Sequence, residues 1–207
     1  NLLIENVHRI WEETADYRYI DPETGKPYPL SGAVQMIFSD LGTEAALETR
    51  GFSAYVWIRD RLVAMGIPAD QIAFMQHYKK NSAKQRLFND LNQGRKRFVL
   101  GSTATMGTGV NAQQRLKALH HLDVPWLPSD IEQREGRIER QGNQNDEIEL
   151  YGYATSGSMD ATNWQMLERK ARFINMAMSG DRSIRRIEDV SSNVNQFALA
   201  KALASGD

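Results

Sequence analysis

Residues 133–143 read QREGRIERQGN, three arginines and two glycines, with Ile138 as the single apolar side chain. Arg137 and Arg140 stand three apart, a spacing that puts both on one face if the segment is helical. Arginine stays charged and forks onto phosphate oxygens, so such a pair can hold a phosphate. The alternative is intrahelical pairing, Glu132 with Arg137, and Glu135 and Glu139 with nearby arginines. Gln133 lies one turn earlier on a neighbouring face. Gly136 would cost about 1 kcal/mol in a helix interior relative to alanine. Its presence predicts the close approach of another backbone or a ligand.

A second stretch, GSTATMGTGVNAQ (101–113), has complementary chemistry. Gly107 and Gly109 allow positive φ or close approach of the backbone to a ligand. Ser102, Thr103, Thr105 and Thr108 offer hydroxyls, and Asn111 an amide, to phosphate or ribose. A flexible connection between strand and helix is the plainer reading. The phosphate loop G-x-x-x-x-G-K-[ST] does not occur in the chain, and the dinucleotide fingerprint lacks its third glycine. DEIE (146–149) resembles an acidic metal box, but GNQN precedes it, and a turn entering a strand is the better reading. His120 and His121 are adjacent in a strand and must point to opposite faces, which disfavours a metal pair, with one of them facing the core. Met159, Trp164, Met166, Met176 and Met178 read as packing residues of one helix. No metal site is expected.

The elements that must position these segments follow from periodicity. Leu3, Val7, Ile10, Trp11 and Thr14 predict an amphipathic helix over 2–15. DPETGKPYPLSG (21–32) is a loop. Strands are expected over 33–40, 70–77, 96–103, 117–124 and 146–154. Helices are expected over 53–66 closed by Gly66, 82–94 with a Ser82/Gln85 capping box, 129–142 with a Ser129/Glu132 capping box, and 160–178. A weaker helix is expected over 195–204. Strand alternating with helix predicts an α/β fold, a parallel sheet flanked by helices on both faces. Right-handed crossovers bring the strand C-terminal ends to one edge, where ligands bind. Function is therefore expected after the third and fourth strands, near Ser102 and Asp123.

The 207 residues are 41% hydrophobic and 25% charged, as in ordinary globular proteins. No apolar run approaches the roughly 18 residues of a membrane helix, and no secretory signal pattern opens the chain. It begins on Asn1, which suggests a piece of a longer polypeptide. The absence of cysteine excludes disulfides and thiolate metal sites and fits a reducing, cytoplasmic setting. With a net charge of −1, nucleic acid can be drawn only by local patches. GRKR (94–97), QREGRIER (133–140) and DRSIRR (181–186) are the candidates.

Together, a glycine-threonine loop after one strand and, about 20 residues on, Gln133, Gly136, Arg137, Arg140 and Gly142 in the order Q-x-x-G-R-x-x-R-x-G resemble motifs V and VI of superfamily two helicases and translocases. GTGVNAQ followed by QREGRIERQGN is most similar to the Swi/Snf-type branch. VQMIFSD falls at that family's motif IV strand, and the likeness extends over about 30–160. It implies the RecA-like C-terminal lobe of a motor whose other lobe carries the phosphate loop and the Mg²⁺-binding acids. On this resemblance Arg137 and Arg140 are arginine fingers on the γ-phosphate of ATP. Gly107, Gly109, Asn111 and Gln133 lie at the nucleotide, and Ser39, Ser102 and Thr103 touch the DNA backbone. The partners implied are double-stranded DNA and the N-terminal lobe, with residues 1–30 a helix and linker, 31–160 the lobe and 161–207 a helical extension. The tail resembles that of phage and mobile-element helicase–methylase proteins, antirestriction proteins among them. A linked methylase domain would fit, although no N/D-P-P-[YFW] quartet is present. Alone, such a lobe would not hydrolyse ATP. The competing readings are a catalytically silent nucleic-acid-binding or docking module with this fold, and an unrelated α/β enzyme. For the latter only Asp123 is well placed, with no evident partner.

Overall fold

A computed structural model describes residues 2–106, 111–154 and 159–178. Five strands, β1 (Val34–Phe38), β2 (Ile72–Phe74), β3 (Phe98–Gly101), β4 (Leu116–His121) and β5 (Glu149–Gly152), form one sheet in the order β2-β3-β1-β4-β5. Every pairing is parallel. The helices are α1 (Leu2–Glu13), α2 (Ala45–Arg50), α3 (Ala54–Ala64), α4 (Asn81–Asn92), α5 (Thr103–Met106), α6 (Pro128–Glu135) and α7 (Met159–Met178). This is the parallel sheet flanked by helices expected from the alternation, in the RecA-like arrangement that the resemblance implied.

Alternation along β1 divides the core. Val34, Met36 and Phe38 point to one face, where they pack with Leu87, Phe88 and Leu91 of α4 and with Ile138. Ile37 points to the other, against Leu3, Ile4 and Val7 of α1 and Tyr55, Ile58 and Leu62 of α3. Each fully buried side chain of this size stabilises the fold by roughly 1.5–3 kcal/mol. The amphipathic first helix therefore lies within the same core as the sheet.

Several element ends differ from expectation. The strand expected over 70–77 is three residues long, flanked by single 3₁₀ turns. The helix expected from Ser82 begins at Asn81 with no side-chain cap, and the Gln85 side chain reaches forward to Asn89 instead of back. α6 starts at Pro128, and the Asp130 carboxylate, rather than that of Glu132, accepts from the Leu127 N–H at 3.4 Å. It ends at Glu135, seven residues short of Gly142. Two short helices, α2 and α5, were not expected. Ser53 caps α3 by accepting from the Val56 N–H at 3.3 Å, and Gly66 follows it with φ +98°. The helix expected over 195–204, the basic cluster at 181–186, and Gly107 and Gly109 lie outside the described residues.

A candidate nucleotide and nucleic-acid site at the C-terminal sheet edge

β1 lies between β3 and β4, so the chain switches direction there and the three strand ends form a crevice. Asp123, just past β4, has the partners that sequence did not supply. Its Oδ2 accepts from Ser39 Oγ at 2.9 Å and from the N–H groups of Asp40 at 2.6 Å and Leu41 at 3.0 Å. Ser39 Oγ also accepts from the Gly42 N–H at 3.0 Å, and its carbonyl accepts from Tyr55 Oη at 2.7 Å. Burial, with Asp123 and Asp40 nearby, raises the Tyr55 pKa and keeps this donor protonated. Ser39 is consequently buried and fully engaged.

Asp40 crosses to the end of β3. Its carboxylate accepts from the Thr103 N–H at 2.6 Å and from Thr103 Oγ1 at 2.9 Å. Ser102 and Thr105 bond reciprocally, Thr105 N–H to Ser102 Oγ at 3.2 Å and Ser102 N–H to Thr105 Oγ1 at 3.0 Å, and so open α5. Ser102 and Thr103 remain half-buried beside the exposed Asp40.

Arg134 joins the three strand ends to α6. Its side chain is 0% exposed, yet Nη2 reaches Asp40 at 2.8 Å and Asp123 at 3.4 Å. Nε donates to Thr103 Oγ1 at 2.8 Å, Nη1 to the Asp123 carbonyl at 3.3 Å, and the guanidinium lies 5.2 Å from the centre of the Phe38 ring. Desolvating a cation costs several kcal/mol, which only such a full set of acceptors offsets. Nη1 also donates to His121 Nδ1 at 3.3 Å, so the imidazole proton sits on Nε2 and faces Glu135 Oε1 at 3.2 Å. Burial first, then the Arg134 charge, lower the His121 pKa to about 4. Sequence reading passed over Arg134. The available signal was its position in the Ile131, Arg134, Ile138 spacing, which is the inward face of the segment.

Arg137 and Arg140 do not share a helical face, because the helix has ended. They follow it in successive turns, closed by the Ile138 N–H on the Glu135 carbonyl at 2.9 Å and the Asn143 N–H on the Arg140 carbonyl at 3.3 Å. Arg137 is buried and Arg140 exposed. Burial, and then the charge of Arg140, lower the Arg137 pKa, so the two cations feel one another. The glycine at 136 meets no foreign backbone: the nearest atom to an added Cβ is the Glu132 carbonyl oxygen of its own turn, at 3.0 Å. Gln133 is half-buried on α6, and Asn111 is exposed, its carbonyl accepting from Asn92 Nδ2 at 3.1 Å. The two motif segments meet in space. Gln113 Nε2 donates to the Gln141 carbonyl at 3.2 Å, the Gln144 N–H to the Gln114 carbonyl at 3.0 Å, and Asn143 Nδ2 to the carbonyls of Leu116 and Ile138 at 2.8 and 2.9 Å.

The histidines point to opposite faces, but both are buried. His120 lies in a chain of hydrogen bonds on the α1 side. Gln35 Nε2 donates to the Val7 carbonyl at 2.9 Å, which turns Gln35 Oε1 toward His120 Nε2 at 2.9 Å. Nδ1 therefore accepts from Tyr153 Oη at 2.8 Å, and that hydroxyl accepts from Asn6. Of the basic clusters, GRKR sits at the opposite sheet edge with Arg97 buried, and its Arg95 pairs with Asp90 at 2.9 Å.

Comparison with known proteins agrees with this fold. Residues 58–142 match the family model of the helicase conserved C-terminal domain, a span that runs from α3 to Gly142. That part of the chain is similar to the helicase conserved C-terminal domain, and the fold is the RecA-like fold. Among curated proteins, the chain is 28% identical over 109 residues to the defense against restriction protein B of Escherichia phage P1. The alignment covers 53% of this chain and 5% of the phage protein, so the chain corresponds to a small part of that relative's length. Among solved structures, the C-terminal part of the Fun30 ATPase domain matches 64% of this chain and 38% of its own, with a TM-score of 0.50 and 17% identity. The DUF1998 helicase MrfA, solved bound to DNA and AMPPNP, matches 69% of this chain and 18% of its own, at the same TM-score and identity. The likeness to helicase C-terminal domains thus lies in residues 58–142 and in the fold. No described helix is long and apolar enough to cross a membrane.

Proposed function

We propose that this chain is the second motor lobe of a DNA-dependent ATPase, a helicase or translocase of the Swi/Snf type. The observation that carries the reading is that the turn bearing Arg137 and Arg140 lies against the segment following the glycine-threonine loop, held by the Gln113–Gln141 and Gln144–Gln114 hydrogen bonds. Two arginines on adjoining turns can both donate charge-assisted hydrogen bonds to a polyphosphate, so the site suits ATP. Hydrolysis of bound ATP would supply the free energy for stepping. Arg137 and Arg140 are assigned as the fingers that neutralise charge developing on the γ-phosphate. Gly107, Gly109, Asn111 and Gln133 are assigned to the nucleotide and Ser102 and Thr103 to the DNA backbone; Ser39, buried and engaged by Asp123, Gly42 and Tyr55, supports the strand end rather than touching DNA. Mg²⁺ is assigned mainly to a companion N-terminal lobe, since among the described residues no group of three or more His, Asp or Glu is arranged to hold a metal ion. Double-stranded DNA is the proposed track. The phage relative supports a mobile-element setting in the cytoplasm of a bacterial host, with a linked methylase domain as a further expectation.

The test is DNA-stimulated ATP hydrolysis by the full natural polypeptide that carries this chain, with Arg137→Ala and Arg140→Ala beside it. Folded variants are expected to lose about 10³-fold or more in turnover. Variants that match the parent would show the arginines to be surface charges. A parent inactive with every DNA tried would favour the reading in which the fold is kept as a silent binding or docking module.

A further inference from the structure

We infer that Arg134 is a positioning residue that ties the proposed DNA-contacting strand ends to the proposed arginine fingers, so that engagement of DNA at Thr103 sets the placement of Arg137. The inference rests on the reading of Arg137 and Arg140 as fingers.

Arg134 is unlike the other cations of its segment, because its side chain is wholly buried and its acceptors come from three strand ends: Asp40 after β1, Thr103 after β3, and Asp123 with His121 at the end of β4. This fixes the rotation and height of α6 on the sheet. Arg137 follows one turn later, its N–H on the Arg134 carbonyl at 3.2 Å, so a slip of α6 carries the finger with it. Thr103 Oγ1 is the shared atom. It accepts from Arg134 Nε at 2.8 Å and donates to Asp40 Oδ2 at 2.9 Å. A DNA phosphate that accepts the Thr103 hydroxyl hydrogen bond displaces Asp40 Oδ2 as its acceptor and leaves that oxygen to Arg134, while Oδ1 keeps the Thr103 N–H. The guanidinium then resets against Asp40, and α6 moves with it. The coupling runs through two discrete hydrogen-bond arrangements of one hydroxyl, the kind of bistable element that allosteric transmission requires.

The experiment is a double-mutant cycle in the full natural polypeptide, reading kcat with and without DNA, the KM for ATP, and the DNA concentration for half-stimulation. Arg134→Gln strips two carboxylates of their cation, so Arg134→Lys and Asp40→Asn are measured beside it. The expected result is a fall of about 10²-fold in DNA-stimulated kcat for Arg134→Gln, as for a misplaced catalytic group, with smaller falls for the other two. The KM for ATP and the half-stimulating DNA concentration should hold within about threefold. Added to Arg137→Ala, Arg134→Gln should cost almost nothing more, because the two act as a unit. Three results overturn the inference: folded Arg134 variants with parental kcat, losses that multiply with that of Arg137→Ala, or unfolding of all three variants, which would make Arg134 a stability residue. An Arg137→Ala protein with parental turnover removes the finger reading itself, and the inference with it. A crippled Arg137→Ala beside unimpaired Arg134 variants removes the inference alone.

Discussion

At the scale of single residues, the buried histidines make a prediction that involves no ligand. His120 is wholly buried, and its pKa is lowered to about 3 by burial, then by His121 and Arg9. Both of its nitrogens are already committed, Nε2–H to Gln35 and Nδ1 to the Tyr153 hydroxyl. Below the ordinary histidine pKa near 6.5 the unfolded chain takes up a proton that the folded chain refuses. Stability therefore falls as pH drops from about 6.5 toward 3, and is fully present above that window. The slope from one such histidine is about 1.4 kcal/mol per pH unit. Denaturant titrations at pH 6.0 and 5.0 should show it, and His120→Gln should flatten it by about that amount. His121, also lowered, adds a second loss in the window between its ordinary pKa and about 4, which His120→Gln leaves in place. The arginines proposed as fingers belong to the same scale: their charge is evident in sequence, but their setting after the end of a helix is not.

At the scale of elements, helix ends decide where functional groups sit. Ser53 caps α3 and its own hydroxyl donates to the Gly42 carbonyl at 3.2 Å, which draws the loop after β1 toward the helix. Ser53→Ala should cost about 1 kcal/mol by thermal or chemical denaturation. Gly94, after α4, has φ +81°, and an added Cβ would lie 2.3 Å from the Arg115 guanidinium. Gly94→Ala combines strained backbone with displacement of a buried cation and should cost roughly 2–3 kcal/mol. Glycines at 66 and 94 were readable as helix stops because an L side chain resists positive φ. The stop of α6 was not readable. Its segment carries helix-favouring residues on both sides of Gly136, where it ends with φ still negative, and Ile138 is pulled into the core and Asn143 onto the Leu116 carbonyl beyond it.

At the scale of the whole molecule, two buried arginines close the edge opposite the site. Arg115 lies 4.9 and 5.0 Å from the ring centres of Tyr19 and Tyr28, and donates to the carbonyls of Asn92, Leu30 and Gly32. Arg97 donates to the Ala33 carbonyl and to Thr14 Oγ1. Burial lowers the pKa of each to about 10, so both remain charged at neutral pH. They strap the proline- and glycine-rich loop across the starts of β1, β3 and β4 and so fasten α1 to the sheet. Arg115→Met should free the loop first. Hydrogen exchange over 16–32 should accelerate by at least tenfold, corresponding to loss of about 1.4 kcal/mol of local stability, with exchange in β1 and β3 less affected.

The sequence by itself determined the strand and helix alternation, and with it a parallel sheet, because periods of 2 and 3.6 and the glycine stops are local properties of the chain. It also marked the two segments on which the helicase-like chemistry is proposed, since arginine pairs, hydroxyl runs and glycines show in residue type and spacing. Only the tertiary structure decided the strand order, which brings residues as distant in the chain as Asp40, Thr103, Asp123 and Arg134 into one network. The Ile131, Arg134, Ile138 spacing marks an inward face, but no local pattern announces that an arginine there will find the acceptors that let it be wholly buried. That follows from which carboxylates and hydroxyls the sheet gathers around it, and the gathering exists only once the strands have paired.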